Sequence, residues 1–158
     1  MKYYLATMGL APLIITQAAY VRFVTPRLPE PPGERSGVEG LGPPLYLLIL
    51  GDSAAAGVGV SAQSQALSGQ LVAGLARHFR TSWTVMAQSG YKAKDVVTRL
   101  KEALPEPFDV VVTSIGVNDV THATRSPQWI DQLGQMVDLL KTKFHSQHIL
   151  LTSVPPMH

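Results

Sequence analysis

Three short stretches carry residue types suited to acyl-transfer chemistry: Gly51-Asp52-Ser53-Ala54-Ala55-Ala56-Gly57, Gln88-Ser89-Gly90 and Gly116-Val117-Asn118-Asp119. A serine flanked by small residues, between a buried strand and a helix, exposes its hydroxyl and leaves its own backbone N–H free. Attack of that hydroxyl on a carbonyl creates an oxyanion, which needs hydrogen-bond donors about 3 Å away. Ser53 N–H supplies one. Gly90 lets a second backbone N–H approach closely, and the Asn118 carboxamide offers a third, provided that the three stretches converge. The sequence contains no cysteine, so a thiolate nucleophile and a Cys-ligated zinc are excluded. Asp52, Asn118 and Asp119 are acidic or amide groups of the kind that bind cations, yet no His or Glu completes a ligand set at a recognisable spacing; neither a metal nor a cofactor is expected.

Convergence depends on the elements that carry these stretches. Leu45-Tyr46-Leu47-Leu48-Ile49-Leu50 is apolar at every position, the pattern of a parallel strand buried on both faces. Trp83 to Ala87, Asp109 to Ile115 and His148 to Val154 read as three further strands. Between them lie three helical patterns: Ser61 to Phe79, with Leu67, Leu71, Leu75 and Phe79 four apart; a segment with Val96, Val97, Leu100 and Leu104, closed by Pro105; and one opened by Ser126-Pro127, with Ile130, Leu133, Val137, Leu140 and Phe144 on its inner face. Alternating strands and helices predict a three-layer α/β fold around a doubly wound parallel sheet, flavodoxin-like. In such sheets ligands bind beyond the carboxyl ends of the strands. A strand order of 2-1-3 would bring all three stretches to one place.

At this point the motifs resemble a known family. Ile49-Leu50-Gly51-Asp52-Ser53 is similar to the block I GDS motif of the SGNH (GDSL-type) hydrolases, Gly90 fits block II, and Gly116-Val117-Asn118-Asp119 is similar to the block III GxND motif. The resemblance covers Leu45 to Met157, with the motifs in family order and each at a strand end. It closely resembles the bacterial SGNH esterase type in which GxND is followed by a Thr-rich loop and the fourth strand ends in Pro-Pro-Met. The resemblance implies Ser53 as nucleophile, with Ser53 N–H, Gly90 N–H and the Asn118 side chain as the oxyanion hole. It implies hydrolysis of a small-molecule or lipid ester through an acyl-serine. Family members close with a block V Asp-x-x-His that supplies the general base and its orienting acid. No such block follows the fourth strand here, so the last strand and helix of the fold are expected to be missing and the chain to be a fragment or a crippled hydrolase; losing a triad histidine costs on the order of a million-fold in turnover.

The remaining polar residues have simpler explanations. His122, four residues past Asn118, falls in a loop at the site and has no specified acidic partner; His158 sits at the chain end after two prolines; His78, His145 and His148 fall at helix or strand ends away from the site. Asp52 and Asp119 are expected to brace loops through backbone N–H groups. Gly57-Val58-Gly59-Val60-Ser61-Ala62 matches the G-x-G-x-x-A of dinucleotide-binding folds, an alternative function. Its glycines start six residues past the strand, however, and Gln88-Ser89-Gly90 stands where an acidic ribose ligand belongs. A non-catalytic binding or structural remnant is the other alternative.

Within 158 residues, 46% are hydrophobic and 15% charged, which excludes intrinsic disorder and leaves room for one folded domain. A net charge of +2 without a Lys/Arg run gives no footprint for nucleic acid. Residues 1–24 form a hydrophobic N-terminal segment. Tyr3 to Val21 runs nineteen residues without a charge, enough as a helix to match the ~30 Å hydrocarbon layer. Membrane contact through residues 3–21 is therefore expected, as an anchor or as a cleaved signal of a secreted or periplasmic protein, with an amphipathic docking helix or a cytoplasmic location as the remaining options. Pro12, Thr7, Thr16 and Gln17 lower its hydrophobicity. Residues 25–44, with six prolines and four glycines, read as an extended linker, and 45–158 as the hydrolase-like domain.

Overall fold

The computed structural model describes residues 2–154, with side chains from residue 10 onward except that of Arg22. His158 and the Pro-Pro-Met sequence lie outside the described residues. Five strands form one sheet: β1 (Ser36–Glu39), β2 (Pro44–Gly51), β3 (Arg80–Ala87), β4 (Val110–Ser114) and β5 (His148–Leu151), in the order β1-β3-β2-β4-β5. β2, β3, β4 and β5 run parallel, and the order of the first three is the 2-1-3 arrangement expected. β2 lies between β3 and β4, and Leu47 to Leu50 are fully buried on both faces. This is why the strand shows no polar alternation.

Alternate side chains of β2 feed two cores. Leu48 and Leu50 join Val111 of β4, Val96, Val97 and Leu100 of α4 (Ala93–Glu102) and Met136 and Leu140 of α6 (Ser126–Thr142). Leu47 and Ile49 join Trp83 and Val85 of β3, Ala55 and Ala56 of α2 (Ser53–Ala56) and Val72 of α3 (Leu67–Leu75). Helices on both faces of the sheet make the three layers. A 3-10 turn at Gln63–Gln65 takes up the start of the longer helix expected from Ser61.

Two apolar positions depart from the sequence pattern. Ile130 is 62% exposed, because at about 100° per residue it drifts off the stripe that Leu133, Met136 and Leu140 share. Leu104 is exposed because Ala103 has already left the helix (ψ 150°), as a residue near a proline tends to do.

The 25–44 segment is not a spacer throughout. Its residues Ser36–Glu39 are β1, which pairs antiparallel with β3, Ser36 opposite Thr84 and Glu39 opposite Thr81, so the sheet is mixed. All four β1 side chains are exposed, leaving a period-2 reading nothing to detect.

α1 (Lys2–Val24) precedes this segment. Leu10, Leu13, Ile14, Ile15, Tyr20 and Val21 along it are all about half or more exposed. No helix of the described residues is long and apolar enough to cross a membrane.

Candidate active site

The carboxyl ends of β3, β2 and β4 finish in one row, with Ala87 opposite Gly51 and Gly51 opposite Ser114. Each chain then turns out of the sheet at the same end. Gly51 allows this crowding: its φ is +152°, and a Cβ there would run into the Ser114 carbonyl. Two backbone bonds stitch the row together, Asp52 N–H to Ser114 O (3.0 Å) and Gln88 N–H to Gly51 O (3.2 Å).

Ser53 is the first residue of α2, and its side chain is half-buried. The buried Asp52 caps that turn, accepting Ala54 N–H at 3.0 Å, and Gly57 closes it in a left-handed conformation. Burial pushes the Asp52 carboxyl above its usual range; the Ala54 amide counters this in part, and the charge of Asp119 pushes the same way as burial. Neither the Ser53 amide nor its hydroxyl bonds to a described residue.

The second loop puts Gly90 at φ +88°, with open space where a Cβ would go, so the glycine serves the backbone conformation and not a tight fit. The Gly90 amide also has no acceptor among the described residues. The third loop returns to the second. Asn118 Nδ2 donates to Tyr91 O at 3.0 Å, one residue beyond Gly90, which leaves its other amide hydrogen for a ligand. Asp119 Oδ2 accepts Ala93 N–H at 2.9 Å, at the start of α4, while its buried Oδ1 has no partner. The Ser53 and Gly90 amides and the second Asn118 amide hydrogen, none bonded to a described residue, thus sit on loops that leave one end of the sheet.

Residues 49–158 match the GDSL-like Lipase/Acylhydrolase family. The chain belongs to it. Among solved structures this GDSL-family chain is similar to TesA (26% identity, TM-score 0.61, covering 70% of this chain and 62% of that one). It is also similar to AlinE4, an SGNH-hydrolase family esterase (21%, TM-score 0.63, covering 74% and 64%). A third is Axe2, an acetylxylan esterase from Geobacillus stearothermophilus (20%, TM-score 0.53, covering 70% and 59%). The last two likenesses establish the shared fold. The chain spans about 59–64% of the length of these structures. No curated protein matches it.

Against the GDSL-family frame, Asp119-Val120-Thr121-His122 repeats the Asp-x-x-His spacing, a coincidence that the sequence analysis passed over. The fold does not make it a catalytic pair. The Asp119 carboxylate faces Ala93 N–H, whereas His122 is exposed, with Nδ1 2.8 Å from Asn118 O. No described histidine hydrogen-bonds or ion-pairs with a carboxylate. The Gly57 and Gly59 of the dinucleotide-like pattern lie beyond α2, not in the turn that ends β2, so no glycine loop there faces the strand end.

The structure adds two residues that the sequence analysis did not single out. Glu30 Oε1 accepts Ser89 N–H at 2.7 Å, and its Oε2 lies 2.7 Å from Arg35 Nη1. Arg35 Nη2 donates to Ala87 O. Burial works to raise the Glu30 pKa, but the Ser89 amide and the Arg35 guanidinium outweigh it and hold the carboxyl below its usual range. A hollow of about 540 Å³ lies beside this loop, lined in part by Glu30, Arg35, Gln88 and Tyr91; Ser53 does not line it.

Proposed function

We propose that the domain hydrolyses carboxylic esters through an acyl-serine. The observation that carries this reading is that uncommitted donors, the Ser53 and Gly90 amides and the second Asn118 hydrogen, and the Ser53 hydroxyl lie on loops leaving the same sheet end. Ser53 Oγ attacks the acyl carbon as its proton passes to a general base. The carbonyl π electrons move to oxygen, where the three donors stabilise the charge before it develops elsewhere. Collapse of the tetrahedral intermediate expels the alcohol, which takes up the proton. Water then attacks the acyl-serine by the same steps in reverse, releasing the acid and restoring the hydroxyl. That AlinE4 and Axe2 are described as esterases supports the reaction class. The substrate is a small-molecule or lipid ester.

The base is the weak point of residues 2–154. With no His–carboxylate pair among the described residues, Ser53 has no partner of the right kind. Hydrolysis at a full rate therefore needs a His–carboxylate pair such as the family's Asp-x-x-His, without which turnover falls on the order of a million-fold. A fluorophosphonate probe tests the nucleophile. In a chain carrying that block it should label Ser53, and Ser53→Ala should abolish both labelling and hydrolysis of a short p-nitrophenyl ester. Unchanged hydrolysis in Ser53→Ala would overturn the reading.

The same reading sets the domain beside a lipid surface through residues 3–21. Its support is the row of exposed apolar side chains on α1.

A further inference from the structure

A segment with prolines at 26, 29, 31 and 32 makes few internal hydrogen bonds, so its path is set by what it docks against. Residues 30–35 dock against the candidate site on two sides. On the nucleophile side, Pro31 is buried against the C-terminal cap of α2: a Cβ on Gly57 would lie 3.1 Å from Pro31 Cγ. Pro32 O accepts Gln63 N–H at 3.0 Å. On the oxyanion side, Arg35 O accepts Val85 N–H at 2.7 Å, Arg35 Nη2 holds Ala87 O, and Glu30 holds Ser89 N–H. The segment bridges the turn that presents Ser53 and the loop that presents Gly90.

Glu30 has the most specific place in this bridge. Gln88 N–H is bound to Gly51 O, Tyr91 N–H to Gln88 O, and Tyr91 O to Asn118; Ser89 N–H has no main-chain acceptor, and the Glu30 carboxylate is its partner. The backbone angles of Ser89 aim the next amide, that of Gly90. Ser89 and Gly90 lie inside the turn that Tyr91 N–H closes onto Gln88 O, so holding Ser89 N–H at one end of that turn restrains the direction of Gly90 N–H within it. Arg35 in turn fixes the carboxylate, since one guanidinium bonds both Glu30 and the last carbonyl of β3. A charge-assisted bond to a backbone amide is among the stronger ones available, and the depressed Glu30 pKa keeps the carboxylate ionised at neutral pH.

We propose that Glu30, held by Arg35, is a positioning residue for the Gly90 amide, so that the Pro-rich segment belongs to the catalytic unit. The rate effect rests on the ester-hydrolase reading; the effect on the loop does not. Two measurements on the protein as the cell makes it keep these apart. The first is hydrogen exchange. Glu30→Ala should raise amide exchange in residues 88–91 without raising it in β2, and Glu30→Gln, which keeps an oxygen for Ser89 N–H, should restore most of the protection. Unchanged exchange in Glu30→Ala overturns the proposal whatever the protein catalyses. The second is ester hydrolysis, in a chain carrying the Asp-x-x-His block, alongside Ser53→Ala. Glu30→Ala should lower kcat about ten- to a hundred-fold with little change in KM, and Glu30→Gln should recover most of it. A normal kcat in Glu30→Ala, where Ser53→Ala is inactive, overturns the positioning role. If Ser53→Ala is fully active, the hydrolase reading itself fails, and exchange alone decides whether Glu30 holds the loop.

Discussion

Asn118 illustrates how one side chain can serve both structure and chemistry. A primary amide has two hydrogens; one is spent on Tyr91 O, which orients the group, and the other keeps the direction that orientation imposes. In the ester-hydrolase reading this fixed donor meets an oxygen whose charge grows on the way to the transition state, so its contribution falls mainly on that state. Asn118→Ala is therefore expected to lower kcat about 10²- to 10³-fold with a small change in KM, measured by steady-state hydrolysis in a chain carrying the Asp-x-x-His block. Asp119, its neighbour, ties the third loop to α4 through Ala93 N–H. In the ester-hydrolase reading, adjacent residues on one turn divide the work, Asn118 donating to the substrate and Asp119 bracing the loop.

At the scale of elements, the decisive feature is the row formed by the ends of β3, β2 and β4. Loops leaving ragged strand ends could not bond one another as these do. Gly51 sits where β2 presses on β4, and Gly51→Ala would place a methyl group against the Ser114 carbonyl in a backbone region that side chains avoid. The expected cost is about 3 kcal/mol or more, read from urea unfolding, because both overpacking and backbone strain contribute. The burial of β2 was legible from six consecutive apolar residues. β1 was not, since Ser36–Glu39 buries none of its side chains and is held by main-chain pairing to β3, which composition does not encode. Ile130 and Leu104 failed for a related reason: periodicity names a stripe, but where a helix stops and how it is rotated are settled by packing.

For the whole molecule, the contrast is between a packed α/β domain and an N-terminal helix that leaves its apolar side chains in solvent. Water contact with Leu13, Ile14, Ile15 and Tyr20 is costly at roughly 25 cal/mol per Å² of apolar surface, and a lipid interface removes that cost. Co-flotation with anionic vesicles is expected for the parent chain and should fall several-fold in Ile14→Asp/Ile15→Asp. Retention of flotation in that variant would count against contact through this helix.

Sequence alone determined the α/β class, the order of the motifs and the family they resemble, because buried parallel strands and small-residue turns leave patterns that no other fold class shares. It also marked Ser53, Gly90 and Asn118, through the order of their motifs at three successive strand ends. Only the tertiary structure decided which of their donors are free, that the Asp119/His122 spacing forms no pair, and that Glu30 reaches Ser89. Hydrogen-bond partners fifty-nine positions apart obey geometry in space, and linear spacing carries no record of it.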